Sequence, residues 1–233
     1  YSLNYHKHIH TGEGGIIVTN DDEIADRLQL IRNHAEAVVV KNGMTDLRNM
    51  VGHNFRLGEI ECAIGIEQLK KLKGFVVGRQ HAADRLTQAL QNLPGLRTPI
   101  VKQDCTHAYY MYPIVLDIEW LGVTRARIIE ALEAEGISGL AAGYANLHLL
   151  PMYQQKIAYG SKGFPWTSDI CKRDVSYQKG ICPVAEKLHE STYIGFAMCM
   201  HELTDDEVDL IGQAFRKVWS QLETLRATDK VAI

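Results

Sequence analysis

The sequence predicts an α/β protein in two parts: a strand-and-helix segment with a long connecting helix, then a smaller α+β unit. Three observations carry this. A β-branched run at Ile16–Thr19 follows a glycine cluster and precedes a helical pattern. A long helical stretch then extends from Leu57 to about Leu93. Beyond Pro94-Gly95, one strand pattern and two well-bounded helices alternate with Gly-, Ser- and aromatic-rich stretches. The division is therefore set at residues 1–95 and 96–233.

Each element has its own warrant. Ile16 to Thr19 reads as a short buried strand. Asn20, Asp21 and Asp22 offer N-cap oxygens to a helix on which Ile24, Leu28 and Ile31 recur, ending near Asn33-His34. Residues 38–53, with Gly43, Asn49 and Gly52, read as a loop. In the long helix, Ile60, Ala63 and Ile64 give way to Glu67, Leu69 and Leu72, and Gly74 and Gly78 predict a bend. Tyr109 to Asp117 is a strand candidate. Thr124 to Glu135 is a helix with Ile128, Ile129 and Leu132 as its apolar face, closed by Gly136. Residues 138–180 are expected to hold strands joined by long loops. Thr204 and Glu207 form a capping box ahead of Val208, Ile211, Phe215, Val218 and Leu222, and the tail after Arg226 is expected to fray.

Composition narrows the function. The 233 residues are 46% hydrophobic and 23% charged, as in ordinary globular proteins. A net charge of -3 gives no electrostatic footprint for nucleic acid or an anionic membrane. No apolar run approaches the ~20 residues of a membrane helix. The five cysteines are scattered and lack CxxC spacing, which favours a reducing cytoplasm over a disulfide framework or bound metal. The chain opens at Tyr1, without Met, inside its most suggestive segment, so it reads as a fragment.

That segment is Ser2-Leu-Asn-Tyr-His-Lys-His-Ile-His-Thr-Gly-Glu-Gly-Gly15. Lys7 sits just before a turn where backbone packs closely, a setting that desolvates an amine and lowers its pKa. Such a lysine forms Schiff bases with carbonyl compounds, pyridoxal 5′-phosphate (PLP) among them. The competing reading is a lysine snorkelling out of a strand end.

The segment resembles the lysine motif of the DegT-type sugar aminotransferases, a branch of the fold-type-I PLP enzymes. Ser2 precedes Lys7 by five residues and Gly12-Glu13-Gly14-Gly15 follows it by five, as in that motif. Further likeness lies in Ile17-Val18-Thr19-Asn20-Asp21, Leu30-Ile31-Arg32-Asn33-His34, Gly52-His53-Asn54-Phe55-Arg56-Leu57 and Ala63-Ile64-Gly65. It continues in His107-Ala108-Tyr109-Tyr110-Met111-Tyr112, Leu147-His148-Leu149-Leu150-Pro151-Met152-Tyr153 and Cys182-Pro183-Val184-Ala185-Glu186.

The resemblance implies the C-terminal part of a PLP-dependent fold-type-I transferase: the end of a large PLP-binding domain with its long connecting helix, then a small C-terminal domain. It implies that Lys7 bonds PLP and shuttles a proton, that Ser2 donates to the cofactor phosphate, and that Asn54 and Arg56 reach a neighbouring subunit's site, making a homodimer. His148 and Tyr153 would lie near the sugar nucleotide. The implied reaction moves an amino group, glutamate being the expected donor, to a nucleotide-linked keto-sugar.

Local alternatives stand beside these roles. Ser2 could satisfy a strand-end amide, Asn54 could cap a helix, Arg56 could pair on the surface, and His148 could be a loop histidine. The Tyr109, Tyr110, Tyr112 cluster reads as strand packing. His6, His8 and His10 depart from the family pattern; at alternate positions on a strand they would face one side, as metal ligands do, but no Cys or acidic partner sits at ligand spacing. The family's first half, which supplies the carboxylate facing the pyridine nitrogen, is missing, so this piece alone is not expected to transaminate. Two other functions compete: a catalytically silent dimerisation or structural module, and a PLP-dependent sugar dehydratase. Relatives of the latter kind carry His where Lys7 stands.

Overall fold

The computed structural model describes residues 1–36 and 50–229. They form two compact units, Tyr1–Val77 and Gly78–Ile233. The expected division after residue 95 falls five residues beyond the end of the long helix at Leu90, whereas the compact units divide inside that helix. Most of the loop expected at 38–53 lies outside the described residues. No helix among the described residues is long and apolar enough to cross a membrane.

The first unit opens with a hairpin. Ser2 pairs with Gly15 antiparallel, Leu3 N donates to Gly14 O at 2.9 Å, and Ile16 N donates to Tyr1 O at 2.8 Å. The strand expected at Ile16–Thr19 is corrected here: beyond that pairing Ile17 and Val18 are 70% and 67% exposed, and no strand is formed. A β-branched run favours a pleated, half-buried surface only where neighbouring strands supply one, and the described residues supply none. Helix α1 (Asp22–Ile31) starts at Asp21, whose carboxylate accepts from Ile24 N at 3.0 Å. It buries only Leu30, and positive φ at His34 and Ala35 turns the chain away.

Helix α2 (Glu59–Leu90) runs for 32 residues. Its hydrogen-bonded run continues through Gly74 and Gly78, where an added Cβ would meet nothing within 4 Å. Ile60, Ile66 and Leu69 are exposed, while Ala82, Ala83, Leu86 and Leu90 are buried in the second unit's core.

The second unit is built on a four-stranded antiparallel sheet in the order β1-β2-β4-β3, comprising β1 (Leu96–Arg97), β2 (Tyr112–Leu116), β3 (Leu140–Ala141) and β4 (Tyr193–Phe196). The strand expected from Tyr109 is shorter at its start, because Tyr109 has φ 50°, incompatible with an extended run. At its end Asp117 leaves the strand to cap α3 (Ile118–Leu121), accepting from Trp120 N at 3.1 Å. Tyr112, Ile114 and Leu116 alternate inward, and Ile114 opposes Ile194 across β2 and β4.

Two helices fold as their local sequence requires. Helix α4 (Arg125–Ala134) is capped by Thr124, buries Ile128 and Leu132, and stops at Gly136, which takes φ 93°. Between residues 138 and 180 the expected strands reduce to β3. The remainder is the 3-10 turn Leu147–Leu149, α5 (Pro151–Gln154) and irregular turns. Positive φ at Gly143 and Gly163 interrupts extended backbone there, and a Cβ at Gly143 would press on His189. Helix α6 (Pro183–Lys187) and a π turn (Leu188–Thr192) lead into β4. The capping box opens α7 (Asp205–Ser220): Glu207 N donates to Thr204 Oγ1, and Thr204 N donates to Glu207 Oε2 at 2.7 Å. Val208, Phe215 and Val218 pack on the sheet core. Of the tail expected to fray after Arg226, residues 227–229 are held: α8 (Leu222–Thr228) continues to Thr228 and Asp229 accepts from Thr124 N at 2.5 Å, while residues 230–233 lie outside the described residues.

Candidate functional site

The hairpin places Lys7 on a tight turn. Lys7 N donates to Asn4 O at 3.0 Å, and Thr11 N returns to Leu3 O at 3.0 Å. Asn4 Nδ2 donates across the hairpin to Glu13 Oε1 at 2.5 Å, and buried Thr11 donates from Oγ1 to Glu13 O at 2.9 Å. A Cβ at Gly14 would fall 2.8 Å from Thr11 Oγ1 and 3.0 Å from Leu57 Cδ1. Only glycine lets the two legs and Leu57 approach this closely, which is the physical content of the glycine run after the lysine.

Lys7 is half-buried, its Nζ 3.3 Å from His6 Nε2, and the His6 ring meets Tyr5 edge-on at 4.8 Å. Ser2 lies on the leg paired with Gly15; its exposed hydroxyl accepts from Asn4 N at 3.3 Å. Residues 5–9 are turns and bends, not a strand, so His6, His8 and His10 do not alternate along one face. Among the described residues, no group of three or more His, Cys, Asp or Glu could hold a metal ion.

Asn54 and Arg56 stand on an extended segment against the end of α1. Asn54 pairs with Asn33, and Arg56 Nη1 donates to Asn33 Oδ1 at 2.7 Å. Both are exposed. Asn54 does not cap α2, which begins five residues later at Glu59, and Arg56 has an amide rather than an acid as this partner. A groove of about 910 Å³ runs between this segment, α1 and the hairpin, lined by Gly15, Ile17, Leu28, Arg32, Phe55 and Arg56 among others.

His148 and Tyr153 belong to the second unit. His148 Nε2 lies 2.8 Å from Glu186 Oε1, with side chains only 11% and 7% exposed. The Tyr153 ring packs on Tyr177 at 5.2 Å and on Trp166 at 6.2 Å, and Trp166 Nε1 donates to the Tyr177 hydroxyl at 3.1 Å. Gln154 Nε2 ties this cluster to the 3-10 turn by donating to His148 O at 2.6 Å and Tyr177 O at 2.5 Å.

Two residues here were not singled out by sequence reasoning. Glu186 gathers Gly180 N, Cys182 N and His148 on one carboxylate. Arg125 donates from Nη1 to His189 O at 2.8 Å and to Leu188 O and Tyr193 O at 3.2 Å, and from Nη2 to Glu190 O at 3.0 Å. Burial lowers its guanidinium from the ordinary value.

Comparison with known proteins agrees with this architecture. Residues 1–192 match the model of the DegT/DnrJ/EryC1/StrS aminotransferase family. The spore coat polysaccharide biosynthesis protein SpsC of Bacillus subtilis is 31% identical over 182 residues, covering 76% of this chain and 47% of SpsC. GDP-perosamine synthase of Caulobacter vibrioides is 33% identical over 158 residues, covering 66% of this chain and 40% of the synthase. The aminotransferase structure from Psychrobacter cryohalolentis superposes with a TM-score of 0.72 at 23% identity, over 95% of this chain and 55% of that one, and so supports the α/β fold. The chain spans about half the length of the curated relatives it matches. With a family match over most of its length, the chain belongs to the DegT/DnrJ/EryC1/StrS aminotransferase family, whose members are PLP-dependent.

Proposed function

We propose that this chain is the C-terminal portion of an aminotransferase that moves an amino group, with glutamate as donor, onto a nucleotide-linked keto-sugar. In this reading residues 1–95 complete a large PLP-binding domain and residues 96–233 form a small domain. The observation that carries it is the Lys7 turn, braced by Asn4–Glu13 and by a glycine with no room for a side chain, in a chain of this family. Relatives named as a GDP-perosamine synthase and as UDP-4-amino-4,6-dideoxy-N-acetyl-beta-L-altrosamine transaminases support the substrate class.

The residues present fit PLP. A half-buried amine on a rigid turn suits a covalent link to the cofactor aldehyde, and the exposed Ser2 hydroxyl, whose oxygen accepts from Asn4 N, keeps its own hydrogen to donate to a phosphate oxygen. When bound, PLP supplies the electron sink that stabilises negative charge on the substrate carbon next to nitrogen. Lys7 holds the cofactor before the donor arrives. Once displaced, its amine would take the proton from the donor's carbon and deliver one to the cofactor carbon, acting as general base and then as general acid. The hairpin's cross-bracing fixes the backbone from which the Lys7 side chain extends, so the amine's starting point is set before substrate binds. Asn54 and Arg56 extend from an exposed segment, and in a homodimer they would contact the partner's cofactor phosphate; a planar guanidinium suits a phosphate bidentately. His148 and Tyr153 would meet the sugar nucleotide. We place the reaction in the cytoplasm, since scattered cysteines without CxxC spacing suit a reducing compartment.

The test is spectroscopic. A full-length protein containing this chain should take up PLP with visible absorbance, and Lys7→Ala should abolish it. A mutant with an unchanged visible spectrum would remove Lys7 from the mechanism.

A further inference from the structure

Glu186 is a buried carboxylate without a task in the scheme above. It is 5% exposed, yet both oxygens are engaged: each accepts from Gly180 N at 2.8 Å, and Oε1 also accepts from Cys182 N at 3.2 Å. Burial pushes this carboxyl up, but the bonds from Gly180, His148 and Cys182 together reverse that and hold it below the usual range. An ionised carboxylate only accepts, so the His148 Nε2 at 2.8 Å must carry the hydrogen. That choice determines the other ring nitrogen: in the neutral imidazole, Nδ1 keeps a lone pair. Among the described residues Nδ1 makes no hydrogen bond, and the side chain retains 11% exposure.

The backbone on either side is tied to the same point. His148 O accepts from Gln154, which also reaches Tyr177 O, so the segment carrying Tyr153 and the stretch leading to Gly180 are both fixed around one carboxylate.

We propose that Glu186 is a positioning residue for substrate: by holding His148 through Nε2, it presents Nδ1 as an acceptor for a hydroxyl or N–H of the sugar nucleotide. The inference rests on the reading of His148 as a substrate-contacting residue. Loss of the carboxylate frees the ring to take the other tautomer, in which Nδ1 donates and meets the same substrate group as a second donor.

The test has two arms. In the full chain labelled with ¹⁵N-histidine, His148 should give the Nε2–H tautomer near neutral pH. A predominant Nδ1–H form, or a ring carrying hydrogens on both nitrogens, overturns the proposal without any variant. In the PLP-loaded full-length enzyme, the tightest binder among UDP-, GDP- and dTDP-linked hexoses is chosen as probe. Glu186→Gln should mix the tautomers and raise that probe's Kd about tenfold, the cost of roughly one hydrogen bond to a charged or fixed partner. The ¹⁵N arm stands by itself if the variant does not fold. A shifted tautomer with an unchanged Kd shows a packing contact only and overturns the substrate role, while leaving amino transfer intact. Failure of the unaltered enzyme to bind any of the three, or to transfer an amino group, overturns the functional reading and the inference with it.

Discussion

Arg125 offers the sharpest test of how the second unit is held together. Its two terminal nitrogens meet four carbonyls, at Leu188, His189 and Glu190 in the π turn and at Tyr193, the first residue of β4. Three of these share Nη1, which has two hydrogens, so about three bonds form at once. Two are at normal length, 2.8 and 3.0 Å, and the others are longer at 3.2 Å. Bonds to a charged group contribute about 1.5 kcal/mol each at the lower end of their range, and the side chain is only half-buried, so Arg125→Ala should cost about 3 kcal/mol. Arg125→Lys keeps the charge but not the fork, and should lose about half as much. All three tryptophans, Trp120, Trp166 and Trp219, lie in this unit, so urea unfolding can be followed by their fluorescence. With m of about 2 kcal/mol/M, the Ala variant's midpoint should fall by about 1.5 M. Lys156→Ala, which breaks a pair with the 95%-exposed Asp174, should change stability by less than about 0.5 kcal/mol. An Arg125→Ala midpoint no lower than that of Lys156→Ala would show that the Arg125 fork does not hold this turn.

Two glycines should behave in opposite ways. Gly14→Ala forces Cβ against Thr11 and Leu57 and should loosen the Lys7 hairpin by about 2 kcal/mol, seen as about thirtyfold faster amide exchange at Leu3, Thr11 and Ile16. Gly74→Ala has open space inside a helix and should slow exchange around it, through a gain of up to about 1 kcal/mol. Burial pushes the Tyr112 phenol up to about 12, and its bond with Thr87 Oγ1 at 2.7 Å offsets only part of that rise. The folded chain holds that proton more tightly than the unfolded one, so this contribution to stability is complete below about pH 10 and drains away between 10 and 12. Alkaline unfolding of Tyr112→Phe should lack that part of the slope.

Local chemistry made much of this readable from sequence. The Thr204–Glu207 box and the Thr124–Gly136 helix are decided within a turn or two of chain, and both formed as expected. The Lys7 segment is also local: a turn, a crossing Asn–Glu bond and a glycine are set by residues 4–14. Ile16–Thr19 failed because strand burial depends on neighbours that hydrophobic composition cannot name. The Tyr109 side chain suits a strand, while its backbone turns left-handed. Glu186 sits in a stretch that sequence comparison marks, but its meaning lies in His148, 38 residues away, and in backbone amides that every residue type possesses. For Arg125 the partners are carbonyls more than sixty residues on, and no side-chain pattern announces them.

The proposed amino transfer requires a bond between Lys7 and the cofactor, and chemical trapping reads that bond directly. A full-length protein containing this chain, mixed with PLP, reduced with borohydride and digested, should yield the reduced pyridoxyl group on Lys7 within the Ser2–Gly15 segment. Recovery of that segment unmodified, with the label on another lysine or on none, would contradict it.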